Sequence, residues 1–249
     1  MEPVPEMSDS RAATDALLSE LREGTTAPVA VARFLAHAAR RSLAQAARRP
    51  RALAELTALH AALYVPARDR RPGRGWVTAS WALAAAHLGL LEHRTRLSAA
   101  DLLTLTRANL PALPGGTSRA SGMVALCLDI ADGHLARRQG TASPFGQYAD
   151  TFADAAFWTW LTLRHEPSRP ARAAAAAAWL LPVATVTTAA IRRGRMPDPP
   201  RPVLLRPAAA LQVVIALRHL TRPREDSRTP PQSVTDAALE NWAVSCRLR

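Results

Sequence analysis

The chain has 249 residues and a formal net charge of +12, and every basic side chain behind that charge is arginine. Its two cysteines, Cys127 and Cys246, lie far apart and without metal-ligand spacing, which excludes a disulfide framework or a zinc site and predicts two plain free thiols. The opening stretch Met1–Ser10 is acidic and proline-containing where a secretory signal is basic and apolar, so no export is expected. A charge of this sign suits nucleic acid, an anionic membrane surface or a phosphate-rich substrate.

Residues 1–10 read as irregular. Arg11 to Glu23 has helical spacing, with Asp9 or Ser10 as N-cap and Leu17, Leu18 and Leu21 on one side. Pro28 to Ala47 reads as a second helix. It has an apolar side (Val31, Leu35, Ala38, Ala39, Leu43) and charged residues (Arg33, Arg40, Arg41), and it suits a membrane interface or a soluble bundle equally well. A third helix is predicted over Arg51 to Tyr64. Val65 to Gly75 has the proline, glycine and charge of a linker. The character changes at Trp76. Charge-free or apolar segments follow at Trp76–Leu91, Leu102–Leu113, Ala120–Leu128, Ala155–Leu163, Ala171–Ile191 and Val203–Leu217. Only Ala171–Ile191 reaches the roughly 20 residues that span a bilayer. Residues 223–249 read as a polar tail with a short helix over Val234 to Ser245. No internal repeat and no glycine-rich nucleotide loop is present.

One segment carries chemistry. From Asp129 the chain reads Asp-Ile-Ala-Asp132-Gly133-His-Leu-Ala136-Arg137, then eight residues to Gly146, then Asp150 and Asp154. Three- and four-residue spacings stack side chains on one helix face. Asp129, Asp132 and Ala136 therefore share a face with Arg137 at its edge, and Asp150 and Asp154 share a face of a second helix. If the intervening loop folds the two helices together, four carboxylates meet. Like charges at such a site need compensation, and oxygen ligands suit Mg²⁺ or Mn²⁺. The plain alternative is two polar helix surfaces, but these acids interrupt apolar segments, where ionised groups are costly and tend to be functional. The scattered histidines, His134 among them, have no ligand spacing. Trp158, Trp160 and Trp179 suit either interfacial anchoring or packing, and Ser143-Pro144 suits a turn.

The pattern D-x2-D-G-x2-A-R-x8-G-x3-D-x3-D resembles the signature of the CDP-alcohol phosphatidyltransferases, and every fixed position is filled. Upstream, Ala100-Asp101-Leu102-Leu103-Thr104-Leu105-Thr106-Arg107 partly matches the P-N-x-L-T-x2-R stretch that opens many family members. Thr104 and Arg107 fit, while Ala100 and Asp101 replace Pro and Asn. The resemblance implies an all-α, multi-pass membrane helical bundle. Residues 76–222 would form the membrane domain, with a helical basic region and linker at 1–75 and a tail at 223–249. It implies transfer of a phosphatidyl or related group from CDP-diacylglycerol or another CDP-alcohol to a hydroxyl acceptor, with release of CMP. Glycerol 3-phosphate or inositol phosphate would be natural acceptors. By the same resemblance Asp129, Asp132, Asp150 and Asp154 bind metal, two ions of Mg²⁺ or Mn²⁺. Gly133, Ala136, Arg137 and Gly146 bind the CDP moiety, and Asp154 is the base acting on the acceptor. The expected partners are the donor, a small alcohol and the bilayer, with room for a homodimer and no nucleic acid.

The implied location is the inner membrane with the acidic site facing the cytosol. Ala171–Ile191 then returns to the cytosol at Arg192-Arg193-Gly-Arg195, as positive residues favour. The cluster from Arg218 to Arg224 falls outside if Val203–Leu217 spans, so either that segment does not span fully or the helix count differs by one. A rival from another class, a non-enzymatic basic protein binding nucleic acid or anionic lipid, explains the charge but leaves the spaced acids unexplained.

Overall fold

The structure is a computed structural model that describes residues 10–24, 27–69, 71–195 and 206–221. Within them the fold is helical throughout, with no strand. The helices are α1 (Ser10–Glu23), α2 (Pro28–Ala47), α3 (Pro50–Ala67), α4 (Arg71–Ala86), α5 (Ala99–Ala108), α6 (Ser121–Gln139), α7 (Pro144–His165), α8 (Arg169–Arg193) and α9 (Arg206–Thr221). Short 3₁₀ turns at Leu88–Leu91 and Leu110–Ala112 extend the ends of α4 and α5.

Local chemistry sets the boundaries. Pro28 and Pro50 occupy first helical positions, where the missing N–H costs nothing. Ser98 and Asp101 form a capping box at the start of α5. Ser143 accepts the Gly146 N–H and starts α7 with Pro144 behind it, so the Ser-Pro pair is a helix N-cap. Gly140 ends α6 at φ 61°, a left-handed conformation that glycine adopts without strain. Only residues 140–143 then separate α6 from α7, a connection short enough to fold the two helices together.

The segment expected as a linker is largely helical, which corrects that reading. α3 continues to Ala67 and α4 begins at Arg71. Pro66 sits in the last turn of α3. Gly73 is buried in α4, where a Cβ would come within 3.2 Å of the carbonyl oxygens of Ala67 and Ala112. Glycine serves close packing there rather than flexibility. Ala67, Val77 and Ala112 form a small core at this junction, and the first large apolar core packs the far ends of α3 and α4, with Ala52 and Leu56 of α3, Ala84 of α4, Leu88 and Leu91, Leu105 of α5 and Phe145 of α7. A buried polar joint accompanies it: Asn109 Nδ2 donates to Ser80 Oγ at 2.9 Å, and His60 Nε2 lies 3.1 Å from the same oxygen. Burial lowers the His60 pKa from its ordinary value.

The second core holds Ala125 of α6, Phe157, Trp158 and Leu161 of α7, and Ala216 of α9. Trp158 is therefore a packing residue, its ring edge-on to Phe157. Trp179 and Val183 lie in α8, but their side chains fall outside the described set, as do Cys246, Val203–Leu205, the tail and its expected helix. Cys127 is a free thiol and is exposed, not buried as unpaired cysteines usually are. Among the described residues α8 alone is long and apolar enough to cross a membrane. Ala210–Thr221 is apolar but shorter.

α9 approaches α6 closely because small residues meet at the crossing. A Cβ at Gly122 would stand 3.0 Å from Ala216 Cα and 3.1 Å from its Cβ. Small residues at helix crossings allow backbones to approach in this way. Gly122→Ile is expected to push α9 off α6 and cost about 1–3 kcal/mol, as overpacking does. The measurement is the thermal midpoint in detergent, with Val124→Ala, at an exposed position on the same helix, as a control that leaves it in place.

Candidate active site

Four helices bring the polar side chains together. α5 contributes Thr104 and Arg107, three residues apart on one face. α6 contributes Asp129 and Asp132, α7 contributes Asp150 and Asp154, and α9 contributes Gln212. α5 packs against both α6 and α7, and α9 packs against both as well. The α6–α7 turn thus does what the spacing required of it, and all four acids converge.

They converge on Arg107. Its side chain is only 1% exposed. Nη1 lies 2.7 Å from Asp129 Oδ1 and is paired with Asp154 Oδ1. Nη2 lies 3.7 Å from Asp132 Oδ2 and is paired with Asp150 Oδ1. One guanidinium is thereby shared among four carboxylates. The carboxylates differ in their access to solvent: the Asp132 and Asp154 side chains are 8% and 18% exposed, against 36% for Asp129 and 47% for Asp150. The ion pair at Asp150 is consequently the most screened.

Two further side chains hold the inner acids. Thr104 Oγ1–H donates to Asp132 Oδ2 at 2.6 Å. Gln212 Nε2–H donates to Asp154 Oδ2 at 2.8 Å. A second polar knot fixes the start of α7. Arg94 Nη2 donates to Asp101 Oδ2 at 2.9 Å and to Ser143 Oγ at 2.7 Å, tying the N-termini of α5 and α7 together.

Beside the carboxylates lies an open cavity. Gly133, Ala136 and Gly146 line it together with Thr104, Asp132 and Asp150. The absence of large side chains at 133, 136 and 146 keeps it open. Gly146 is the third residue of α7, inside the helix, and a Cβ there would come within 3.2 Å of Asp101 Oδ1. Arg137 is exposed on α6, with Nη1 3.2 Å from where a Gly133 Cβ would stand, and it is not among the residues lining the cavity. A larger cavity between α4, α5 and α7 is almost wholly apolar. Ala149, Ala153 and Ala156 of α7 face it, and no carboxylate does, so it carries no chemistry of its own.

The donor set fits a hard divalent cation. One oxygen each from Asp129, Asp132 and Asp150 lies within 4.8 Å of the others, and carboxylate oxygens are the ligands Mg²⁺ and Mn²⁺ take. Asp154 stands apart from that trio, held by Arg107 and Gln212. The signature pattern alone did not single out Arg107 as the centre of the site or Gln212 as part of it. The legible signals were an arginine three residues from Thr104 in an apolar helix, and a lone polar side chain between Pro207 and Leu217.

A family model described as CDP-alcohol phosphatidyltransferase matches residues 118–221, which contain the whole acidic motif together with α8 and α9. Neither a curated protein nor a solved structure matches the chain.

Arg107→Met removes the charge that four acids share, and removing one partner of a buried ionic group typically costs about 3–5 kcal/mol. In chelator the thermal midpoint of this variant should fall by several degrees, and Mn²⁺ should raise it by more than it raises that of the unaltered protein. Equal metal-induced shifts in the two proteins would contradict the role of Arg107 as counter-charge.

Proposed function

We propose, from the premise that residues 118–221 belong to the CDP-alcohol phosphatidyltransferase family, that this protein transfers a phosphatidyl group from CDP-diacylglycerol, or a related group from another CDP-alcohol, to a hydroxyl acceptor. The observation that carries the reading is the convergence of Asp129, Asp132, Asp150 and Asp154 beside a cavity kept open by Gly133, Ala136 and Gly146. That pairing of acidic ligands with a small-residue nucleotide slot answers what a CDP donor presents, a pyrophosphate next to a flat base and sugar.

The residues divide the work. Asp129, Asp132 and Asp150 would hold Mg²⁺ or Mn²⁺, with Asp154 completing the set for a second ion. When bound, the metal neutralises the pyrophosphate and stabilises the departing CMP oxygen. Gly133 and Ala136 let the nucleotide lie against α6, and Gly146 gives the same access along the start of α7. Arg137, exposed at the edge of that face, turns from solvent to make paired hydrogen bonds to phosphate oxygens. Asp154 accepts the proton of the acceptor hydroxyl as its oxygen attacks phosphorus. The bond between phosphorus and the CMP oxygen breaks, and CMP leaves with the electron pair.

The same reading makes the protein a multi-pass protein of the cytoplasmic membrane with the acidic site on the cytosolic side. Support comes from the apolar length of α8, from the arginines at its C-terminal end, and from exposed Leu180, Leu181, Val213 and Val214 on α8 and α9. Carbonate-washed membranes should retain the protein in the pellet and detergent should release it. A stable species in the supernatant without detergent would remove the membrane assignment.

The direct test is CMP release from CDP-diacylglycerol by the purified protein across a panel of alcohol acceptors, with lipid product analysis. Turnover should vanish with chelator and return with Mg²⁺ or Mn²⁺. Asp129→Asn or Asp132→Asn should remove most of it in folded protein. Asp154→Asn should cut turnover strongly while donor binding stays measurable. Full turnover in chelator would rule out the metal-dependent mechanism. Loss of donor and metal binding in Asp154→Asn, with no separate effect on turnover, would make Asp154 a ligand and not the base.

A further inference from the structure

We infer that Gln212, on the last described helix, is a positioning residue that acts on the reaction only through Asp154. The inference rests on the transferase reading and on the assignment of Asp154 as the proton acceptor.

Gln212 is the only polar side chain between Pro207 and Leu217 of α9 and is 5% exposed. A buried amide in an apolar helix is costly unless it is hydrogen-bonded. Its bond goes to Asp154: Nε2–H donates to Oδ2 at 2.8 Å across the α7–α9 interface. The amide orientation is chemically determined, because an ionised carboxylate only accepts and so must face the NH₂ group. The other carboxylate oxygen, Oδ1, is paired with Arg107 from α5. Asp154 is thus gripped at both oxygens from opposite helices, and the plane of its carboxylate is fixed by two donors. Arg107 is shared with three other acids, whereas this bond of Gln212 is directed at Asp154 alone.

The consequence is geometric. A base must present one lone pair to the acceptor hydroxyl within hydrogen-bond reach, and small rotations of its carboxylate lose that alignment. Without Gln212, Arg107 alone leaves the carboxylate free to turn about its Cβ–Cγ bond. The close contact of Gly122 with Ala216, one turn along α9 from Gln212, sets the helix at the depth this bond requires. Outer partners of site residues typically change activity by about 10–100-fold when removed.

The test uses the full-length protein in detergent with CDP-diacylglycerol, the acceptor found by the panel above and Mn²⁺. Gln212→Met keeps the volume and removes the donor. It should lower kcat about tenfold or more, while the KM for donor and the Mn²⁺ affinity, read by electron paramagnetic resonance, stay within about threefold. In an Asp154→Asn background, where no base remains to be aligned, Gln212→Met should cause no further loss, since residues acting as a unit are not additive. Gln212→Leu, apolar and likewise without the donated bond, should lose turnover at least as strongly. It carries the same comparison if Gln212→Met does not fold. Equal losses from Gln212→Met in both backgrounds, or unchanged kcat with a lowered thermal midpoint, would overturn the inference and leave Gln212 a packing residue. With turnover established in the unaltered protein, such a result leaves the transferase reading intact. No CMP release by the unaltered protein from any CDP-alcohol would overturn both.

Discussion

Everything at the centre of this protein depends on one buried guanidinium held among four carboxylates. Four acids on two helices repel one another, and two of them are largely withdrawn from water. Arg107 makes that arrangement tolerable, and so makes the α6–α7 pair a stable platform. The helices around it follow from this requirement. α5 must pack between α6 and α7 so that Arg107 reaches both, and the capping box at Ser98, with Arg94 bridging Asp101 to Ser143, fixes the start of α5 against the start of α7.

The same interaction gives the site its polarity. Asp129 and Asp150 lie toward solvent, where a cation and a charged donor can enter, while Asp132 and Asp154 are held from behind by Thr104 and Gln212. A cation entering the trio would share ligands already engaged by Arg107. Binding of a metal here would therefore be an exchange of counter-charges, with the ligands already assembled. Preorganisation of this kind is what electrostatic catalysis requires of a site, since donors and acceptors are in place before charge develops.

Much of this was legible in the sequence because helix periodicity is strict. The spacing of Asp129, Asp132, Asp150 and Asp154 determined which faces they share. Whether those faces meet was left open by the spacing, and the fold supplies the answer through the left-handed Gly140 and the Ser143 N-cap at the two ends of a short loop. What was not legible depended on contacts between distant segments. Val65–Gly75 has the composition of a linker, yet the buried approach of Gly73 to Ala67 and Ala112 makes it part of two packed helices. At Gly146 the space for a side chain is limited by the carboxylate of Asp101, forty-five residues earlier in the chain. Arg107 and Gln212 sit in apolar segments outside the spaced acids. Their role follows only from which helices pack together, and periodicity within one helix carries no information about that.

The most direct test of the central claim is an experimental structure of the protein with Mn²⁺ and CMP, with anomalous scattering used to locate the metal. The account predicts an anomalous peak among Asp129, Asp132 and Asp150, CMP against Gly133 and Ala136, and Arg107 still in the same polar cluster. A metal bound elsewhere, or four acids dispersed on separate surfaces with Arg107 in solvent, would contradict it.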